Sequence, residues 1–280
     1  MGYRLRQRQD PVVVDRDDLI SAFRATGLQE GDGVYLQSAM SRFGRIEGGP
    51  ATVVAALEEV VGPQGLIAMP AFPIVGGAQE YLASVPVFDL LRTPSRMGAV
   101  SEHFRKTPGT VRSLHPTHSI CARGPGADAI VAGHERADTP FGHGTPFPRL
   151  IERGVRALAF GTGAHVFTFF HTFEDVRPGG FPLDVYLDRR YPVHCVDGQG
   201  AELTVETRVH DPALAAVRID NNPALERRFQ ALLLDGGALR SVRLGRGEIL
   251  AITAPDLMDE LERLLAEGVT IYDIDLPASR

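Results

Sequence analysis

The sequence predicts an α/β fold in a single domain spanning residues 1–280, with an inserted region near residues 180–220. Three observations lead there. Short apolar runs of strand length alternate with amphipathic runs of helix length along the chain. No internal repeat and no low-complexity linker divides it. With 280 residues, 44% of them hydrophobic, it has material for one sizeable core.

Residues 15–27 carry Leu19, Ile20 and Phe23 at helical spacing and close on Gly27, which predicts a helix. Gly31-Asp32-Gly33 then turns into a short buried strand at 34–38. A small-residue segment, Ser38-Ala39-Met40-Ser41-Arg42-Phe43-Gly44, leads through Gly48-Gly49 to a helix that starts near Pro50 and ends before Gly62. Strand, small loop and helix together present backbone N–H groups to an anion. The spacing matches neither the P-loop nor G-x-G-x-x-G, so a plain connecting turn remains the alternative.

A strand at 66–69 follows, then a helix at 95–106 with Ser95 as N-cap and Val100 and Phe104 on one face. A helix at 126–134 precedes a loop at 138–146 too rich in Gly and Pro for regular structure. Helix 147–153, strand 155–160 and the turn Gly161-Thr162-Gly163 deliver the chain to residues 168–176. Beyond them the pattern gives a strand at 185–187, a polar hairpin at 197–200 and a strand at 203–209. Helix 223–234, strand 247–253 and helix 255–267 complete it.

A formal charge of -6 argues against a nucleic-acid surface. No stretch approaches the ~20 apolar residues of a membrane span. Met1-Gly2-Tyr3-Arg4-Leu5-Arg6 is basic without the apolar run of a signal peptide, and Arg6 stands where myristoylation wants Ser or Thr. Two cysteines, Cys121 and Cys195, are too few for a disulfide framework or a thiolate zinc site. A reducing cytoplasm is the expected compartment.

The chemistry is placed at Thr168-Phe169-Phe170-His171-Thr172-Phe173-Glu174-Asp175. On a helix, His171 and Glu174 project from one face. An imidazole takes a proton near neutrality, and a carboxylate beside it fixes the tautomer and stabilises the cation. Spacing alone favours an ordinary i,i+3 polar pair on a helix flank, and the setting is what points to a site. Phe167, Phe169, Phe170 and Phe173 make an apolar-walled pocket the expected setting.

Two other patterns suggest rival enzymes. His115 and His118 stand at H-x-x-H spacing, which invites a metal-dependent hydrolase, but no third ligand is placed as catalytic zinc motifs require. Cys121 invites an acyl-cysteine intermediate, although its apolar context describes an inert buried thiol.

Four pieces taken in order resemble the antibiotic N-acetyltransferase family, which includes the aminoglycoside 3-N-acetyltransferases not built on the GNAT fold. They are Gln37-Ser38-Ala39 with Gly48-Gly49, Arg112-Ser113-Leu114-His115-Pro116, Pro140-Phe141-Gly142 with Thr145-Pro146, and Thr168-Phe169-Phe170-His171 with Glu174. The resemblance covers about residues 15–270. It implies an α/β/α three-layer sandwich around a mixed central sheet, acetyl-CoA as co-substrate, a primary amine as acceptor and no metal. A CoA-binding protein without turnover is the non-catalytic alternative, and a homodimer is left open.

Carried over by position, the resemblance makes His171 the general base and Glu174 its partner. It assigns CoA contacts to Ser38, Ala39, Met40, Ser41, Arg112, Ser113, His115, Thr145 and Thr168. Asp220 and Asn221 fall where relatives present acids to a polycationic sugar. Here that ground reads Arg218-Ile219-Asp220-Asn221-Asn222-Pro223, and Ala71-Phe72-Pro73-Ile74-Val75-Gly76-Gly77 carries no charge. The missing acids point to a less cationic amine, an amino sugar or a biosynthetic intermediate. Arg42, Arg45 and His165 are read as solvated surface, with the 3′-phosphate of CoA as the alternative.

Overall fold

The computed structural model describes residues 12–84 and 87–274; the basic segment at 1–6 lies outside them. In the first half, β1 (Val13–Val14), α1 (Arg16–Ala25), β2 (Gly33–Ser38), β3 (Arg45–Ile46), α2 (Pro50–Val61) and β4 (Leu66–Pro70) come first. α3 (Ala78–Ser84), β5 (Val87–Asp89), α4 (Ala99–Lys106), β6 (Val111–Arg112), β7 (Ile120–Arg123) and α5 (Ala127–Val131) follow. The second half holds α6 (Pro146–Glu152), β8 (Arg156–Phe160), α7 (Phe169–Val176), β9 (Tyr191–Val196) and β10 (Glu202–Thr207). It ends with α8 (Pro223–Asp235), β11 (Arg240–Leu244), β12 (Gly247–Thr253) and α9 (Ala254–Ala266).

The central sheet has seven strands in the order β11-β12-β8-β2-β4-β7-β6. β8, β2 and β4 run parallel at its middle, and antiparallel strands extend both flanks, so the sheet is mixed. Its strands alternate their side chains between two cores, as a period of two requires. Val34, Leu36, Leu158, Phe160, Ile249 and Ala251 face one core, which α1, α2 and α4 cover. Tyr35, Ala157, Ala159, Leu250 and Ile252 face the other, covered by α5 to α9. The three layers expected are present.

Local chemistry sets the ends of these helices. Asp15 caps α1 in a capping box: its carboxylate accepts from the Asp18 N–H at 2.9 Å, and Asp18 returns the bond at 3.2 Å. α4 starts at Ala99 rather than at 95, because Gly98 turns the chain at φ 97° and Ser95 is engaged elsewhere. The Ser95 N–H donates to Glu102 Oε2 at 2.8 Å and its hydroxyl accepts from the Met97 N–H at 3.2 Å. The helix expected to reach 134 stops at Val131, since Gly133 adopts φ 72° and His134–Arg136 forms a separate 3-10 turn.

The expected strand at 185–187 is a single bridge from Tyr186 to His210, and the strand expected at 203–209 ends at Thr207. A second sheet, in the order β10-β9-β5, packs Phe88, Val193, Cys195 and Val205 into a small core of its own. Residues from the region near 180–220 therefore form this sheet together with a strand from before α4.

Candidate active site

β2 and β8 run parallel with Ser38 opposite Phe160, so both leave the sheet at the same edge. Ligands in open α/β sheets bind outside such carboxyl ends. Gly161 turns the chain there at φ 75°, and a Cβ would meet the Ala39 carbonyl oxygen at 2.7 Å. The chain then passes through a 3-10 turn, Ala164–Val166, into α7.

α7 buries Phe169, Phe170 and Phe173 in the core beneath it, which fixes the rotation of the helix. That rotation brings His171 and Glu174 to the rim. His171 Nδ1 lies 2.8 Å from Glu174 Oε2; the Glu174 side chain is 1% exposed and that of His171 20%. The carboxylate accepts on Oε2, so the proton of the neutral imidazole belongs on Nδ1 and the lone pair on Nε2. Tyr272 donates its hydroxyl to Glu174 Oε1 at 2.9 Å. Both oxygens of this buried carboxylate thus have donors.

His210, a residue singled out by no motif, completes the rim. Its Nε2 is 3.7 Å from Glu174 Oε2, and its ring centroid is 4.4 Å from that of His171. Phe141 packs against both imidazoles, at 5.1 Å from His171 and 5.7 Å from His210. Burial, then the nearby His171 and Arg218, lowers the His210 pKa well below the usual value and keeps it neutral. Arg218 Nη1 approaches His210 Nδ1 at 3.5 Å, and its other nitrogens bind Asp220 at 2.7 and 2.9 Å. His171, Glu174 and His210 each place a metal-ligating atom within 4.8 Å of the others.

Asp175, on the next position of α7, accepts the Tyr186 hydroxyl at 2.9 Å. Burial pushes its carboxyl up to about 6, and the charge of Glu174 adds to the shift against the hydrogen bonds from Thr139 and Tyr186.

Of the remaining expected residues, Thr168 and the end of β2 meet at the site. The Thr168 N–H donates to Gln37 Oε1 at 3.4 Å, and the Tyr35 hydroxyl reaches Thr168 Oγ1 at 3.4 Å. Ser38, Ala39 and Met40 are half-buried and Ser41 is exposed. The Ala39 N–H is bonded to the Phe160 carbonyl at 2.8 Å. It is not an available donor.

Arg112, Ser113, His115 and Thr145, expected to contact CoA, each make hydrogen bonds within the scaffold. Arg112 donates to the Ser119 hydroxyl at 3.0 Å and to the carbonyls of Leu90, Thr93 and Ala71 at 3.1, 2.5 and 2.7 Å. Ser113, buried, accepts from the Ile120 N–H at 2.8 Å and pairs with His134 Nδ1 at 2.9 Å. His115 has Nδ1 facing the His118 N–H at 3.0 Å and Nε2 facing the Thr207 hydroxyl at 3.3 Å. With both nitrogens engaged, the H-x-x-H pair is not a ligand set. The Thr145 hydroxyl donates to the Gly142 carbonyl at 2.8 Å in a fully buried place.

Asp220 is held by Arg218, and the Asn221 side-chain amide donates to the Ala215 carbonyl at 3.0 Å. Burial works against the Asp220 charge, but the Arg218 guanidinium outweighs it and holds the carboxyl below its ordinary value. Burial pushes the Cys121 thiol up to about 12, which leaves no thiolate for acyl transfer. Arg42 and Arg45 are exposed, and His165 pairs with Glu226.

A family model described as aminoglycoside 3-N-acetyltransferase matches residues 36–266. The chain belongs to this family. It is an N-acetyltransferase, and what family membership carries is acetyl transfer to an amine. The aminoglycoside N(3)-acetyltransferase VII of Streptomyces paromomycinus is 30% identical over 255 residues, 86% of this chain and 85% of that protein. The crystal structure of the aminoglycoside acetyltransferase AAC(3)-Xa aligns with a TM-score of 0.76 at 27% identity, covering 92% of this chain and 94% of that one. AAC-IIIb in its binary complex with CoASH aligns with a TM-score of 0.74 at 26% identity, covering 95% and 100%. Among the described residues, no helix of this N-acetyltransferase is long and apolar enough to cross a membrane.

His210 and Tyr272 are the site residues of this N-acetyltransferase that sequence reasoning misses. Tyr272 meets Glu174 across a sequence separation of 98 residues. His210 sits after a short strand in the region expected only as an insertion. Neither carries a local signal.

Proposed function

We propose that the protein transfers an acetyl group from acetyl-CoA to a primary amine of an amino sugar, with His171 as general base oriented by Glu174. The observation that carries this is the 2.8 Å contact between a half-buried imidazole and a fully buried carboxylate, at the carboxyl edge of the parallel strands. An ammonium of pKa near 10 is no nucleophile until deprotonated. His171 Nε2 takes one proton from the ammonium as the nitrogen attacks the thioester carbonyl. Collapse of the tetrahedral adduct breaks the C–S bond, and the departing CoA thiolate takes the second proton from nitrogen to leave the neutral amide and CoA thiol. Glu174 stabilises the imidazolium, and Tyr272 keeps the carboxylate aimed at Nδ1.

The oxyanion needs donors. The Thr168 hydroxyl, one turn before the base, accepts from the Tyr35 hydroxyl at 3.4 Å and donates only across 3.5 Å to the Val166 carbonyl, so its proton is the donor to redirect to the oxyanion. The N–H groups of Met40 and Ser41, at the 3-10 turn after β2, are the backbone donors assigned to CoA, beside Ser38. The CoASH complex of AAC-IIIb, a relative over the whole fold, supports acetyl-CoA as donor.

The relatives' names make an aminoglycoside the first acceptor to test. The acids of this site favour a less cationic one: Asp220 is neutralised by Arg218 and Glu174 is spent on His171 and Tyr272. A CoA-release screen of amines, run beside His171→Ala, tests donor, acceptor and base together. The variant is expected to lose about 10²–10⁴-fold in kcat while binding CoA as the wild type does. Unimpaired turnover in the variant refutes the base, and equal kcat/KM for polyamino and monoamino sugars refutes the acceptor class.

A further inference from the structure

We propose that His171, Glu174 and His210 form a binding site for one zinc-like divalent ion, which takes the general base out of action while bound. The binding half stands on geometry; the inhibitory half rests on the reading of His171 as base.

One ligand atom from each residue lies within 4.8 Å of the other two. Tetrahedral zinc, with bonds of about 2.0–2.1 Å, sets neighbouring ligand atoms about 3.3 Å apart. Glu174 Oε2 lies 2.8 Å from His171 Nδ1 and 3.7 Å from His210 Nε2, on either side of that value. The two ring nitrogens lie within 4.8 Å of each other, and closing the shell draws the imidazoles together toward the tetrahedral spacing of about 3.3 Å.

His210 Nε2 supplies the independent sign of an unmet partner. It is a buried ring nitrogen with no hydrogen-bond partner among the described residues, 3.7 Å from the carboxylate. Native proteins rarely leave such atoms unsatisfied, and an ion is one of the partners that satisfies them. Two imidazoles and one carboxylate suit zinc rather than magnesium or calcium, which prefer oxygen shells. The outer shell is already built. Tyr272 holds the second carboxylate oxygen, Phe141 packs on both rings, and Tyr186 packs on His210 at 4.7 Å. The partly exposed edge of His171 leaves room for a water in the fourth position.

One contact opposes the ion. Arg218 Nη1 only donates, so its approach to His210 Nδ1 places the His210 proton on Nε2 in the metal-free protein. Binding transfers that proton to Nδ1 and turns Nη1 away, while Nε and Nη2 keep their hold on Asp220. His171 likewise shifts its proton from Nδ1 to Nε2. Both rings stay neutral, no net proton is released, and the rearrangement makes binding reversible. With a proton on Nε2 and the metal on Nδ1, His171 has no lone pair for an incoming ammonium.

The test uses the full chain without a metal-binding tag, stripped with EDTA. Cobalt(II) is titrated while visible absorption is recorded, and zinc is added to displace it. The wild type is expected to give the intense absorption of a tetrahedral ion, saturating at one cobalt per chain. His210→Gln and Glu174→Gln are each expected to weaken binding by at least ~10-fold. Two variants guard against the failure of either to fold, which circular dichroism checks. Zinc should inhibit CoA release by the wild type, and EDTA should restore it. Absence of the tetrahedral band, or wild-type affinity in both folded variants, overturns the site. Zinc bound at these residues without loss of turnover overturns the inhibition and the base reading with it. A dead His171→Ala enzyme beside a wild type lacking the cobalt band sinks the metal site alone.

Discussion

Tyr272 donates its hydroxyl to Glu174 Oε1 at 2.9 Å, tying the far end of the chain to the carboxylate that orients His171. Burial, followed by the charge of Glu174, raises the Tyr272 pKa, so the phenol remains a donor throughout the working pH range. Tyr272→Phe removes one bond to a charged acceptor, about 1.5–3 kcal/mol where it is fully felt. Steady-state kinetics are expected to show kcat falling about 10-fold with little change in the KM for acetyl-CoA. An unchanged kcat would show that Glu174 needs no second donor.

Arg112 gives four hydrogen bonds to β-strand and loop acceptors and lies over the Phe88 ring at 4.9 Å. Lysine lacks the planar fork and leaves buried carbonyls unpaired. Arg112→Lys should therefore lower the unfolding free energy by about 2–4 kcal/mol in urea titrations. A loss below 1 kcal/mol would show that these bonds contribute little to the fold.

Asp175 links stability to pH. Its carboxyl, raised from 3.8 to about 6, holds its proton more tightly in the folded state than in the unfolded one. The resulting stabilisation is complete below the unfolded value and is lost as pH rises through about 6. Asp175→Asn keeps an acceptor for the Tyr186 hydroxyl and removes the buried charge. At pH 8 it should be more stable than the wild type by about 1–2 kcal/mol, and near pH 4 the two should coincide. Urea midpoints at both pH values check this, and a pH-independent difference would refute it.

Gly161 occupies the turn between β8 and the site at φ 75°, where an added Cβ meets both the Ala39 carbonyl and the Phe43 ring at 2.7 Å. Gly161→Ala combines left-handed strain with a clash against backbone. It should cost about 2 kcal/mol or more, seen as a lower Tm. A neutral substitution would mean that the turn relaxes.

The legible parts of this chain are those whose signal is local. β2, β4, β8 and β12 are buried on both faces and read as continuous apolar runs, and α1, α2, α8 and α9 have an apolar stripe with capping residues beside it. The edge strand β11, Arg240-Ser241-Val242-Arg243-Leu244, half-faces solvent and carries too few apolar residues to be found. His171 and Glu174 are visible because they stand three positions apart on one helix. The carbonyls that converge on Arg112 belong to Ala71, Leu90 and Thr93, which lie 19 to 41 positions away, so only the fold reveals them.

β5 joins the second sheet from nearly the opposite side of the sequence, pairing with β9 through Val87–Asp89 against His194–Val196. The arm that delivers His210 to the rim is therefore not a detachable cassette. A chimera that transplants residues 180–220 from a relative would place a foreign strand against a native edge. Exchange of this region between such enzymes requires both segments to move as a unit.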